Sequence, residues 1–155
     1  MKGSAEGLRI YSLFEDLYQG DPWIGVNIIP NLNAITASQA AARPLENCNT
    51  IWEIVNHMIR WRENVLERLH DKVLITPDNN YIQKVMDTSA ENWSATLKAL
   101  EQSQRDWQSY LENVRDEDFE KVYGPNNMNY YKHAHGILQH DAYHLGQIIL
   151  LVKFV

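Results

Sequence analysis

Residues 50–69 have the sequence TIWEIVNHMIRWRENVLERL, which predicts a long amphipathic helix. Thr50 and Glu53 have the spacing of a capping box, in which the two side chains satisfy free backbone amides at the start of a helix. Apolar side chains then recur every three or four residues, a spacing that places them on one face. They are Ile51, Ile54, Val55, Met58, Trp61, Val65 and Leu69. The pattern indicates a helix that buries one face within a larger helical domain.

The same periodicity predicts three more long helices. An apolar stripe from Ile10 to Leu17 indicates the first, which ends before the turn residues Gly20-Asp21-Pro22. A second capping-box pattern, Thr88-Ser89-Ala90-Glu91, predicts a helix from about residue 88 to about residue 114. The residues Gly124-Pro125-Asn126-Asn127 interrupt the chain, and the last helix is predicted to run from near Asn129 to near Val152.

An Ala-rich stretch between Pro30 and Pro44 predicts an extra short helical segment, Leu32 to Ala42, after the first long helix. We find no lasting alternation of apolar and polar residues bounded by hairpin turn signals, so the predicted fold class is all-α. Four long helices joined by loops favour a four-helix bundle with antiparallel neighbours.

Length and composition predict one packed, soluble domain over residues 1–155. The apolar fraction of 45% and charged fraction of 22% are ordinary for globular proteins. The formal charge of −6 has the wrong sign for a general binder of nucleic acid. The N-terminus lacks a signal-peptide pattern, and no stretch has the length of a membrane span. The single cysteine, Cys48, cannot form an internal disulfide and is expected to pack as a small apolar residue. We therefore expect a cytoplasmic protein without nucleic-acid or membrane partners.

The histidines give the first functional signal, because four of the six lie within twelve residues of the last predicted helix. Two of them, His140 and His144, differ by about 40° in direction and by one turn in height, so both rings can reach one ion. Ile137, Ile148 and Leu151 share their face, which indicates that the pair points inward.

His57 is the candidate third ligand, at the edge of the apolar stripe of the helix predicted over residues 50–69. Three imidazoles from facing helices, with a coordination position left open, are the arrangement that a catalytic divalent transition metal needs. The sequence therefore predicts a metal site formed by His57, His140 and His144. In the alternative interpretation His140 and His144 are core histidines whose polar atoms bond to carbonyls or carboxylates, with Glu53 or Asp141 as partners.

Glu53 and Asp141 are also the candidate proton acceptors for a reaction at such a site. The capping box accounts for Glu53 equally well, and Asp141 could instead orient a metal-binding histidine. Tyr143 and Gln147 lie within one turn of His144 and could bond to its imidazole or to a ligand, although helix packing is the simpler role for Tyr143.

The remaining histidines and the tryptophans are weaker candidates for a functional site. About 10 Å of helical rise separates His133 from His140, which argues against His133 as a fourth ligand. His70 and His135 are expected to be solvated. Helical spacing predicts that Trp61, Trp93 and Trp107 pack in the core. Trp23 lies in a predicted turn, so it is a candidate for a pocket mouth or a dimer contact.

Two segments carry a resemblance to a known family. Residues 51–57, IWEIVNH, and 136–147, GILQHDAYHLGQ, resemble the DinB superfamily of YfiT-like metalloenzymes, and the resemblance extends over nearly the whole chain. In that family one histidine of the second bundle helix and an H-x-x-x-H pair of the fourth bind metal, and His57, His140 and His144 fall on those places. The resemblance implies a four-helix bundle with up-down-down-up connectivity, often dimeric, that carries nickel or zinc.

The resemblance does not imply one reaction. Members of the family include S-transferases that use a low-molecular-weight thiol such as bacillithiol or mycothiol, and a maleylpyruvate isomerase. The leading hypothesis is a metal-dependent transferase or hydrolase acting on a small molecule, because a metal lowers the pKa of a thiol or water in its open position. The alternatives are a metal or small-molecule binding protein without turnover, and purely structural histidines.

Overall fold

The computed structural model describes residues 4–155. Six α-helices, of which four are long, and one short 3-10 helix, Asp116–Glu120, occur in that range. The long helices are α1 (Ala5–Tyr18), α4 (Ile51–Leu69), α5 (Ala90–Asn113) and α6 (Tyr130–Val152), and the short ones are α2 (Ile28–Asn33) and α3 (Ala37–Ala41). The all-α class and the four predicted long helices are confirmed.

The sequence signals at the helix starts are confirmed at α4 and need correction at α5. Thr50 caps α4 with the predicted capping box to Glu53. At α5 the N-cap is Ser89 rather than Thr88, since its hydroxyl accepts a hydrogen bond from the backbone N–H of Asn92 at 3.3 Å. The predicted start was one residue early because both hydroxyl residues satisfy the same pattern.

The single helical segment predicted over Leu32 to Ala42 is two short helices, α2 and α3. Thr36 separates them, because its backbone is extended and its side chain forms a capping box with Gln39 that starts α3. The break at Gly124 to Asn127 is flanked by two-residue strands, β1 (Val122–Tyr123) and β2 (Met128–Asn129), which pair antiparallel. Strands of two residues are too short to give the alternation on which the all-α prediction relied.

Side-chain contacts give the directions of the long helices. Trp52 bonds to Thr96, and Trp107 bonds to the carbonyl of Arg62, so α4 and α5 run parallel. Glu15 bonds to Gln108, while the N–H of Ser4 bonds to the carbonyl of Val114, so α1 and α5 are antiparallel.

The start of α6 lies beside the end of α4, where Tyr130 bonds to Asp71, and α6 passes His57 ten to fourteen residues later. Helices α4 and α6 are therefore antiparallel. The order is up-down-down-up, as the resemblance implied. Since α4 and α5 are parallel, the segment 70–89 has to cross the length of the bundle to connect them.

The buried apolar side chains form two clusters. One contains residues near the start of α4 and the end of α6, including Trp52, Met58 and Leu145. The other contains residues near the end of α4 and the start of α6, including Val65 and Tyr130. Arg62 and Asp141 lie on α4 and α6 at positions between these two sets, and both are fully buried.

Cys48 does not pack as predicted, because it lies exposed in the loop between α3 and α4. Among the helices of residues 4–155, none has the length and apolar character needed to cross a bilayer.

Candidate metal centre

The fold brings the three predicted histidines together at the interface of α4 and α6. One ring nitrogen of each of His57, His140 and His144 lies within 4.8 Å of the others. The Nε2 atoms of His57 and His140 are 3.0 Å apart, and the three ring centroids are separated by 4.4 to 5.0 Å. Two imidazole nitrogens bound tetrahedrally to one zinc ion, at about 2.0 Å each, lie about 3.3 Å apart. The spacing of the cluster can therefore hold a metal ion.

Two of the imidazoles are oriented by oxygen acceptors. The Nδ1 of His57 lies 2.7 Å from the carbonyl oxygen of Asn80, and the Nδ1 of His144 lies 2.7 Å from Oε1 of Gln147. Since a carbonyl oxygen only accepts, each Nδ1 carries the hydrogen and donates it. A neutral imidazole in that tautomer has its lone pair on Nε2, the atom that a metal would bind.

Gln147 is itself held in place, because its Nε2 donates a hydrogen bond of 3.0 Å to the hydroxyl of Tyr143. This bond leaves Oε1 turned toward His144. The sequence-based suggestion that Gln147 bonds to the imidazole is thus confirmed. Tyr143 contributes through Gln147 and remains largely exposed.

Burial keeps two of the rings neutral. Desolvation lowers the pKa of His57, against the opposing effect of its bond to Asn80. Desolvation also lowers the pKa of His144, to about 4, against the opposing effect of its bond to Gln147. Both imidazoles are therefore uncharged near pH 7, which is the form that binds metals.

The two candidate proton acceptors are buried and already engaged. Glu53 accepts from Thr50 N–H in the capping box and from Arg43 at 2.7 and 2.8 Å. Asp141 accepts from Nε of Arg62 at 2.7 Å, and the side chains of this pair are 0% and 1% exposed. Since neither carboxylate is accessible to a substrate, neither is placed to accept a proton from one: Glu53 serves the capping box, and Asp141 pairs with Arg62.

The cluster opens toward solvent at His140, whose side chain is 23% exposed. Trp61 lies beside it, with ring centroids 6.0 Å apart, and Tyr81 packs edge-on against Trp61. The indole of Trp61 donates to Oδ1 of Asn80 at 3.0 Å. Trp61 is half-buried, so it packs against the second apolar cluster and also borders the site, whereas Trp93 and Trp107 are buried as predicted.

The other histidines lie outside the cluster. His133 is buried and bonds to the Asn129 carbonyl at 3.0 Å and to Asn126 at 3.2 Å, so it is not a fourth member. His70 is exposed as predicted, but His135 is half-buried and packs against Tyr131. Trp23 is 99% exposed, and an indole without packing covers no pocket within this chain.

Three residues of the site were missed by the sequence analysis: Asn80, Tyr81 and Arg62. Asn80 lies on the segment between α4 and α5, where no periodic pattern could indicate a bond to His57. Arg62 was overlooked although it interrupts an apolar stripe. A buried arginine in such a position requires a counter-charge, and this requirement could have indicated a partner such as Asp141.

Fold and site together define an up-down-down-up helical bundle with a three-histidine cluster between two antiparallel helices. A sequence profile of the DinB superfamily matches residues 28–148, and the chain belongs to this superfamily. Comparison with curated proteins gave no significant match. Comparison with solved structures likewise gave none.

Proposed function

We propose that this protein binds a divalent transition metal through Nε2 of His57, His140 and His144 and is a metal-dependent enzyme acting on a small molecule. The observation that carries the proposal is the convergence of three imidazole nitrogens, two of which have their tautomer set by oxygen acceptors behind them. Three neutral protein ligands leave a coordination position for a substrate group, as in catalytic zinc sites.

A bound metal of this kind would lower the pKa of a thiol or a water molecule and so supply a nucleophile near neutral pH. The residues of the chain hold and shield this position. Asn80 and Gln147 orient two of the imidazoles, and Trp61 with Tyr81 gives the open side an aromatic wall suited to a small organic molecule. Membership of the DinB superfamily, which includes thiol-dependent S-transferases, is in line with a thiol-dependent transferase. A hydrolase is the alternative reaction type, because the same metal could activate water.

We further propose nickel or zinc as the metal, since neutral imidazoles suit both ions and selection depends on geometry and supply.

A second candidate function is metal or small-molecule binding without turnover. The state of the nearby carboxylates favours it, because Glu53 and Asp141 are both buried in ion pairs and neither is free to take a proton from a substrate. A reaction with a thiol needs less help from a base than a reaction with water, because thiols are far more acidic. If the protein is an enzyme, we therefore expect it to turn over thiols as nucleophiles but not water.

Metal analysis of protein purified without chelators tests the proposed site. We expect one equivalent of metal or less in the wild type, and full occupancy after incubation with Ni²⁺ or Zn²⁺. His57→Ala and His144→Ala should lose this metal, while His70→Ala, which changes an exposed histidine outside the cluster, should keep it. A wild type that takes up neither ion contradicts the proposal.

Activity is tested separately with metal-loaded protein, low-molecular-weight thiols and a panel of electrophiles, with the His144→Ala variant as the background control. Consumption of thiol above that background supports a transferase. Hydrolysis of activated esters or amides without thiol supports a hydrolase. Metal uptake without either reaction favours the binding function.

A further inference from the structure

Among the described residues, two buried polar atoms without hydrogen-bond partners lie close to each other beside the proposed metal site. Within residues 4–155, Nδ1 of His140 and Oδ1 of Asp141 are both buried without a hydrogen-bond partner. They lie 3.6 Å apart, which is about 0.7 Å longer than an ordinary N–H···O bond. Leaving a donor or an acceptor unsatisfied in the interior is costly, so these two atoms need an explanation.

The other two imidazoles show what is missing at His140. His57 and His144 each donate from Nδ1 to an oxygen at 2.7 Å. If His140 coordinates through Nε2 as a neutral ring, its hydrogen has to be on Nδ1 as well. Oδ1 of Asp141 is then the acceptor within reach, and a small movement of the ring would bring it to bonding distance.

The carboxylate is held firmly enough to serve as a fixed acceptor. Its other oxygen, Oδ2, accepts from Nε of Arg62 at 2.7 Å. The guanidinium of Arg62 also donates to Gln104 at 3.0 Å and to Ser103 at 3.3 Å on α5, and it lies 5.8 Å from the ring of Phe14 on α1. Through these contacts Arg62 joins all four long helices, so the position of Asp141 is set by the whole bundle.

We propose that Asp141 is a positioning residue that accepts the Nδ1 hydrogen of His140 and orients this imidazole toward the metal, with Arg62 fixing the carboxylate. This inference rests on the proposed metal site. The three imidazoles would then be oriented by a backbone carbonyl, a side-chain amide and a carboxylate. Because the carboxylate is charged, its bond makes His140 the most electron-rich of the three ligands.

The competing explanation is that Asp141 only neutralises Arg62. Replacing both members of the pair separates the two explanations. The double variant Arg62→Met, Asp141→Leu fills their space with apolar atoms and leaves no unpaired buried charge, a kind of replacement that folded proteins tolerate. If neutralisation were the whole role, this variant should bind metal like the wild type.

Asp141→Asn is the second variant, in case the double variant does not fold. In Asp141→Asn an NH2 group replaces one of the two carboxylate oxygens. The charged guanidinium of Arg62 should keep the remaining oxygen, which leaves the NH2 group, a donor, beside Nδ1 of His140. Glu53→Gln is the matched control, since it neutralises another buried carboxylate of an arginine pair on the ligand-bearing helix α4, but Glu53 bonds to Arg43 and Thr50 instead of an imidazole.

The measurements are the dissociation constants for Zn²⁺ and Co²⁺ by chelator competition, together with the visible absorption spectrum of the Co²⁺ form. We expect the double variant and Asp141→Asn to bind roughly 10- to 100-fold more weakly than the wild type, with an altered Co²⁺ spectrum. Glu53→Gln should keep the wild-type affinity and spectrum.

Wild-type affinity and spectrum in the Asp141 variants would overturn the inference while leaving the proposed metal site intact. An equal loss in Glu53→Gln would overturn it too, because the loss would then come from general distortion of α4. A wild type that binds neither ion would remove the proposed function itself, and the positioning role with it.

Discussion

Hydrogen bonds at Nδ1 orient two of the three imidazoles of this site. A ring that is held at Nδ1 loses rotational freedom before a metal arrives, so less entropy is lost on binding. Gln147 provides such a bond to His144 from one turn further along α6. Its own orientation depends on Tyr143, which accepts from the amide nitrogen. Side chains of α6 therefore orient an imidazole that α6 itself presents.

Replacement of Gln147 should weaken metal binding without unfolding the protein. In Gln147→Leu the acceptor for Nδ1 of His144 is lost, while the new apolar side chain borders a cavity that Ile54 and Leu150 also line. We expect an affinity for Zn²⁺ that is roughly 10- to 100-fold lower, measured by chelator competition. Tyr143→Phe removes only the bond that orients the amide and should have a smaller effect. Equal affinities for Gln147→Leu and the wild type would contradict this role.

Among the helices and their connections, the parallel arrangement of α4 and α5 has the largest consequence for the site. It forces residues 70–89 along the side of the bundle, where the Asn80 carbonyl meets His57. The contact has a conformational cost, because Asn80 and Tyr81 adopt φ angles of 52° and 60°, in the left-handed region. Two hydrogen bonds hold the turn in this conformation. The indole of Trp61 donates to the side chain of Asn80, and the amide of Asn64 donates to the hydroxyl of Tyr81.

Two substitutions at Asn80 separate the cost of this turn from the value of its side chain. Asn80→Ala and Asn80→Gly both lose the bond to Trp61, but only alanine resists the positive φ. We expect Asn80→Ala to be less stable than Asn80→Gly by about 1 kcal/mol in urea unfolding. Equal stabilities would show that the turn changes conformation once the amide is removed, and metal affinity should then fall in both variants.

For the chain as a whole, the buried histidines make stability depend on pH. Folding lowers the pKa of His57, His133 and His144, the last to about 4. As the pH falls, these histidines therefore take up protons in the unfolded chain first, near pH 6.5. Each unit by which folding lowers a pKa corresponds to about 1.4 kcal/mol in the free energy of unfolding. The stability that these three histidines contribute is fully present above pH 6.5 and is lost as the pH falls toward their lower pKa values in the folded state.

Urea unfolding of the metal-free protein between pH 7.5 and pH 4.5 should show this loss. His144→Gln should lose less stability over the same range, because one of the groups that takes up protons on unfolding is gone. The difference between the two curves isolates His144 from the carboxylates. Parallel curves for the wild type and the variant would show that His144 is accessible to protons in the folded state.

The loop between α1 and α2 is the place to test the expected homodimer. Trp23 is 99% exposed there and Ile24 is 47% exposed, an apolar pair that a second subunit could cover. If the protein is a dimer through this loop, Trp23→Ala should lower the mass measured by light scattering at micromolar concentration. Val73→Ala, which shortens another exposed apolar side chain, should not. A mass that is unchanged by Trp23→Ala excludes this loop as the contact.

Much of the fold and the identity of the histidine cluster could be predicted from the sequence. Helical periodicity and the capping box at Thr50 are local properties, so the four long helices follow from neighbouring residues alone. The spacing of His140 and His144 is equally local. The errors also have local causes: Ser89 and Thr88 compete for one cap, and strands of two residues leave no pattern.

The tertiary structure alone decided how these parts cooperate. Asn80 meets His57 from 23 residues away, and Arg62 meets Asp141 from 79 residues away, so no local pattern could connect them. Burial also removes Glu53 and Asp141 as general bases, because a carboxylate can accept a proton only where solvent or substrate can reach it. The sequence by itself determined three imidazoles on two helices. The packing of the bundle determined which oxygen atoms accept hydrogen bonds from His57 and His144, and it places His140 beside the carboxylate of Asp141.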